Sequence, residues 1–144
     1  DMAAEIRAFC VRTGQTPPDS VGAFIRCCLE SLALKYRWVV ERLEEVRGKS
    51  IDTIHVVGGG TQNRLLCQLT ADATRRTVIA GPVEATAIGN ILMQALGMGH
   101  IGSLEQARTV VRNSFALDTY TPATNAEPWN AAYQRLLALL QLES

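Results

Sequence analysis

No stretch of this sequence approaches the roughly 20 consecutive apolar residues that a membrane-spanning helix needs, and its first residues carry no signal-peptide pattern. Both absences argue against a membrane protein. Excess charge of one sign is missing as well, because fourteen basic residues cancel fourteen acidic ones. The nearest thing to a basic stripe, Arg75-Arg76, is two residues long, so the electrostatic footprint of a nucleic-acid binder is not there. Metal-ligand spacing is absent too. Cys10, Cys27, Cys28 and Cys67 form no CxxC pair, and His55 and His100 supply no further ligands, so no metal site is expected. The thiols read as buried or half-buried residues of a reducing cytoplasm. There is no internal repeat and no low-complexity tract.

What remains is a globular composition, 47% hydrophobic and 19% charged. A chain of 144 residues suits one domain that buries roughly two thirds of its unfolded surface. The pattern predicts a short helix over 2–13 with Ile6, Phe9 and Cys10 on one face, then an extended break at Gln15-Thr16-Pro17-Pro18. Asp19 or Ser20 caps a long amphipathic helix to about Val46. Its expected inner stripe is Val21, Phe24, Cys28, Leu32, Tyr36, Val39, Leu43 and Val46, and Gly48 ends it. Ile51 to Val57 reads as a strand, Gln62 to Thr74 as a helix with Leu65, Leu66, Leu69 and Ala73 inward, and Thr77 to Ala80 as a second strand. A helix from Glu84 to Leu96 is rich in Ala85, Ala87, Gly89 and Ala95, which predicts close packing against a neighbour. Ser103 and Gln106 make a capping box for a helix to about Asn113. Residues 118–127 read as a loop, and Pro128 opens a last helix with Trp129, Tyr133, Leu136, Leu137 and Leu140 inward.

The segment richest in chemistry is IHVVGGGTQNRLLCQLTADA, residues 54–73, where a strand runs into three glycines and then a helix. Glycines allow a tight turn with no Cβ wall in front of it. A helix that begins there offers free N–H groups to a phosphate-bearing ligand. The P-loop ending Gly-Lys-Ser/Thr is missing, since Thr61-Gln62-Asn63-Arg64 follows. The dinucleotide fingerprint fails as well, with Asn63 where its third glycine belongs. A purely structural turn and a nucleotide-contacting turn remain. In the second, Asn63 offers an amide donor and acceptor to a base or ribose. Glu84 suits the start of a helix better than a catalytic role. Two strands joined through a helix form a right-handed parallel pair, and two strands are a poor sheet that something else should complete.

The string VVGGGTQNRLLCQLTADATRRTVIAGPVEATAIGN, residues 56–90, resembles the C-terminal signature of the FGGY carbohydrate kinases. The flanks DMAAEIRAFCVRTGQTPP and SFALDTYTPATNAEPWNAAYQRL resemble the branch that phosphorylates L-rhamnulose at O1 in L-rhamnose catabolism. The resemblance implies an α/β fold, the C-terminal part of an actin-like ATPase (ribonuclease H-like) domain, helix-rich with a short parallel strand pair. It implies ATP and a sugar as ligands, with Mg held mainly by parts of the enzyme outside this chain. Gly58, Gly59, Gly60 and Asn63 would then line the nucleotide, with Gly59 the best candidate for contact and Asn63 facing the adenine. The Gly81-Pro82 turn and the helix after it would form the adjoining wall.

The family's catalytic aspartate precedes the region matched, and no residue here corresponds to it. The chain therefore reads as a partial domain, an expectation that its start at Asp1 inside a helical pattern also suggests. Such a piece should be inactive alone and prone to self-associate through its truncated sheet. Another FGGY kinase, acting on xylulose, glycerol or fuculose, and a non-catalytic nucleotide-sensing module on the same fold stay open as alternatives.

Overall fold

A computed structural model describes residues 1–142. Helix α1 (Met2–Arg12) begins at Asp1, whose carboxylate accepts the Ala3 N–H. Helix α2 (Val21–Arg47) is capped by the Ser20 hydroxyl, which accepts the Ala23 N–H, and is closed by Gly48 at φ 64°. Strand β1 (Thr53–Val56) leads into a 3-10 turn (Gly58–Gln62) and then helix α3 (Arg64–Thr74). Strand β2 (Thr77–Ala80), helices α4 (Ala85–Gly97) and α5 (Leu104–Ser114), strand β3 (Asp118–Tyr120) and helix α6 (Glu127–Leu142) follow. The capping box at α5 has an altered partner. Ser103 accepts the Gln106 N–H as expected, but the Gln106 side chain reaches back to the N–H of Gly102.

β1 and β2 pair in parallel, from Thr53↔Thr77 to Val56↔Ala80. The pair is extended by β3, which runs antiparallel to β2 with Val78↔Tyr120 and Ala80↔Asp118. That segment falls in the expected loop. Three residues carry too little alternation to announce a strand, and β3 forms because the far edge of β2 is free to receive it. The outer edge of β1 stays unpaired among the described residues.

Helix α3 is the centre of the packing. Leu69 and Ala73 face Ala33 and Leu34 of α2 and Tyr133 of α6, while Cys67 and Ala71 face Val78 and Ala80 of the sheet. Its buried threonines stay satisfied by turning back on the helix, with Thr70 Oγ1 donating to Leu66 O and Thr74 Oγ1 to Thr70 O, each at 2.7 Å. Leu65, expected inward, is exposed because both neighbours of α3 lie on its other sides.

Two further expectations are corrected. The buried face of α2 is Leu29, Ala33, Leu34 and Trp38. The predicted stripe is instead largely exposed, reaching 77% at Val21 and 87% at Val46. The helix carries two apolar stripes at three- and four-residue steps, and periodicity cannot say which one a neighbour covers. Helix α4 has no buried residue, and a Cβ added at Gly89 would meet nothing within 4 Å. Gly89 therefore mediates no close approach, although α4 touches α5 among the described residues.

Two polar ties fasten the helices. The Tyr133 hydroxyl donates to Glu41, while Arg37 binds Glu41 and Asn130, each at 2.9 Å, and lies over the Tyr133 ring. Burial and the Glu41 acceptor push the Tyr133 hydroxyl up to about 12, so it stays protonated and keeps donating. At the other end of α2, Glu44 accepts the Ile51 N–H at 2.7 Å and two bonds from Arg76 at 2.9 and 3.0 Å. The Ile51 N–H and Arg76 hold its carboxyl below the usual range.

A carboxyl lowered in the folded state contributes stability above its unfolded pKa and loses it as pH falls through the folded value. Glu44→Gln should therefore be less stable than the parent at neutral pH, and the gap should close below about pH 4. Urea unfolding across that range checks this. Curves that stay parallel down to the acid limb would remove Glu44 as a source of the acid sensitivity.

Candidate functional site

In an open α/β sheet, ligands sit outside the carboxyl ends of the strands. Here those ends are Val56 and Ala80, and each is followed by a glycine turn. The ladder runs past the strands into both turns. The Gly81 N–H donates to Val56 O at 2.9 Å, and the Gly58 N–H donates to Pro82 O at 3.2 Å. The sequence-predicted glycine turn and the Gly81-Pro82 turn are thus held side by side.

The glycines of the turns differ in what the fold asks of them. Gly58 stands at φ 75°, a left-handed conformation that costs an L-residue about 1–2 kcal/mol. Gly81 stands at φ 121°, and a Cβ there would come within 3.1 Å of the Leu117 side chain and 3.3 Å of Ala116 O. Neither demand applies to Gly59 and Gly60. Their backbones are not left-handed; an added Cβ would meet nothing at Gly59 and only an ordinary contact with Val56 at Gly60. Folding leaves Gly59 bare without requiring it, which is what a ligand lying against the backbone would require.

The helix does not begin where its sequence pattern places it. The 3-10 turn over Gly58–Gln62 intervenes, and Asn63 breaks it at φ −87°, ψ 81° before α3 starts. Asn63 is the cap of α3, its Oδ1 accepting the Leu66 N–H at 3.0 Å. Its carboxamide oxygen is therefore already committed. Of the donor and acceptor expected for a ligand, only the NH2 group is without a bond among the described residues.

Beneath the turn, two buried side chains hold its carbonyls. Thr61 Oγ1 donates to Gly58 O at 2.8 Å, and the Cys67 thiol lies 3.9 Å from Gly60 O. Burial, with a smaller contribution from Asp118, pushes the Cys67 thiol up and keeps its proton in place as the donor.

A shallow crevice of about 340 Å³ opens at this end of the sheet, between Thr61, Gln62 and Arg64 on one side and Gly81, Pro82 and Val83 on the other, with Asp118 at its edge. Arg64 and Asp118 face each other at 3.8 Å, both well exposed. Gln62, Arg64 and Asp118 were not foreseen. Asp118 comes to the site only through the β2–β3 register, for which the local sequence gives no signal. A second hollow, about 290 Å³, lies between α2 and β1 and is lined by Tyr36, Val39, Ile54, Val56, Leu66 and Cys67 among others. Its walls are mainly apolar, but His55 and the predicted site residue Gly60 are among them, whereas Gly58, Gly59, Gly60 and Asn63 do not line the crevice.

The chain is similar to proteins of known family. Residues 2–98 match the FGGY family of carbohydrate kinases, C-terminal domain. The chain is 46% identical over 133 residues to a rhamnulokinase of Bacteroides thetaiotaomicron, covering 92% of this chain and 27% of that one. It is 41% identical over 122 residues to a rhamnulokinase of Bacillus subtilis, covering 85% and 25%. The crystal structure of a xylulose kinase from Rhodospirillum rubrum superposes with a TM-score of 0.69 at 24% identity, over 90% of this chain and 26% of that chain. That likeness fixes the fold as the helix-rich α/β architecture of these kinases. The chain spans about a quarter of the length of the curated relatives it matches. It belongs to the FGGY family of carbohydrate kinases, within the sequence of the family's C-terminal domain.

Proposed function

We propose that the full-length protein carrying this chain is an ATP-dependent sugar kinase that phosphorylates L-rhamnulose at O1. The chain supplies the adenine and ribose side of its ATP cleft. The observation that carries the proposal is the bare, outward-lying Gly59 in a turn clasped to Gly81-Pro82, in a chain 41–46% identical to rhamnulokinases. Gly58, Gly59 and Gly60 lie along the nucleotide, and the Asn63 NH2 group donates to it. Mg and the sugar are held by parts of the protein outside this chain, as is the aspartate that takes the proton of the sugar hydroxyl. Phosphoryl transfer depends on positioning and charge stabilisation, and one wall of the cleft supplies little of either. Among the described residues no helix is long and apolar enough to cross a membrane. A cytoplasmic enzyme is part of this proposal.

The same reading accounts for the uncovered surface. The rest of the full-length protein, of which relatives carry the matched region as about a quarter, would pair the free edge of β1 and cover the exposed stripe of α2. Without it, these 144 residues self-associate through that face. Light scattering at high concentration should show species larger than a monomer; a clean monomer would contradict this.

Two outcomes follow for the nucleotide and one for the sugar. Two or three N–H contacts at about 0.5–1.5 kcal/mol each, with a helix-terminus contribution of about 0.3–1 kcal/mol, total roughly 1–6 kcal/mol. Millimolar affinity already needs about 4 kcal/mol. Calorimetry on the isolated chain should therefore find millimolar ATP binding or none, and micromolar binding would contradict the half-site. In the full-length protein, Gly59→Ala should raise KM for ATP at least about 10-fold while its unfolding free energy stays within about 0.5 kcal/mol. Among rhamnulose, xylulose, glycerol and fuculose, rhamnulose should give the highest kcat/KM. Preference for another of these sugars would reassign the substrate, and no phosphorylation of any would favour the nucleotide-sensing alternative.

A further inference from the structure

We infer that the Gln62 carboxamide, rather than that of Asn63, reads the adenine base, its Oε1 accepting from the N6 amino group and its Nε2 donating to the neighbouring ring nitrogen. The inference rests on the proposal that the two clasped turns bind ATP. It goes beyond that proposal by assigning base selectivity to a residue that no motif marks.

An amide matches adenine only when both of its halves are free, because the N6 amino group donates and the ring nitrogen beside it accepts. Asn63 does not meet this condition. Its Oδ1 accepts the Leu66 N–H at 3.0 Å as the cap of α3, and the residue does not line the crevice between the two turns. Gln62 does meet it. The residue is exposed and lines the crevice, and its carboxamide has no hydrogen bond among the described residues.

No other side chain that lines the crevice competes for this role. Thr61 spends its hydroxyl proton on Gly58 O at 2.8 Å, and Arg64 and Asp118 face each other at 3.8 Å. Arg64 only donates and an ionised Asp118 only accepts, so neither matches an adjacent donor and acceptor. Across the crevice from Gln62 stand Pro82 and Val83, the latter 39% exposed. A crevice of about 340 Å³ with one apolar wall and one free amide suits a flat heteroaromatic ring that is polar at its edge.

Steady-state kinetics of the full-length protein test this with ATP and with purine riboside 5′-triphosphate, which is ATP without the N6 amino group. The parent should show a KM about 3- to 10-fold higher for the analogue, the loss of one hydrogen bond. Gln62→Met keeps the length of the side chain and removes both hydrogen-bonding halves. It should raise KM for ATP more than for the analogue and bring the two values together, with KM for the sugar unchanged. Asn63→Asp, which keeps the cap, should leave the gap between the two nucleotides in place. Equal KM values in the parent would overturn the inference, as would a Gln62→Met protein that keeps the gap. A gap lost in Asn63→Asp and kept in Gln62→Met would assign the base to Asn63 instead. If Gly59→Ala raises KM for ATP while Gln62→Met leaves the gap intact, the turn binds nucleotide but Gln62 does not read the base. If neither substitution changes KM for ATP, the underlying proposal for the turns fails as well.

Discussion

Two backbone hydrogen bonds, Gly81 N–H to Val56 O and Gly58 N–H to Pro82 O, decide what this end of the molecule can do. They extend the β1–β2 ladder beyond its last strand pair and convert two separate glycine turns into one rigid rim. Each bond rests on a glycine that the geometry requires. Gly58 adopts a left-handed φ, and Gly81 lets the backbone at Ala116 and Leu117 approach. Once the rim is set, the 3-10 turn, the Asn63 cap and the axis of α3 follow. α3 then carries the order into the core, because it packs on the sheet with one side and on α2 and α6 with another.

Much of the fold was legible because its signals are local. Ser20, Gly48 and Ser103 mark helix ends through their own side chains or φ angles, and β1 and β2 are short β-branched runs beside turns. The errors share a different cause. Which stripe of α2 is buried depends on where α3 and α6 lie, and β3 exists only by pairing with β2. Both facts are tertiary, and neither leaves a mark in the periodicity of the segment concerned. The small residues of α4 predicted close packing, yet among the described residues α4 touches α5 without burying any residue of its own.

The candidate site divides in the same way. Three consecutive glycines and Asn63 stand out in any reading, and the resemblance to sugar kinases names a purpose for them. Their individual roles were not legible. Gly58 serves the backbone and Asn63 caps a helix with the oxygen that a ligand was expected to use. Neither Gly59 nor Gly60 is required by the backbone, and at Gly59 an added Cβ would touch nothing. Thr61 and Cys67, which brace the turn from beneath, follow no binding motif and emerge only from hydrogen-bond geometry. Family membership supplies a kinase's context, and the part that this chain plays in a nucleotide cleft is the proposal built on it.

The central claim, that the two clasped turns form one wall of a nucleotide cleft, is tested most directly by amide hydrogen exchange of the full-length protein with and without a non-hydrolysable ATP analogue. The account predicts that slowed exchange within this chain concentrates at residues 58–63 and 81–84, the two turns responding together. Unchanged exchange at both turns while the analogue is bound, or protection confined to the hollow between α2 and β1, would contradict it.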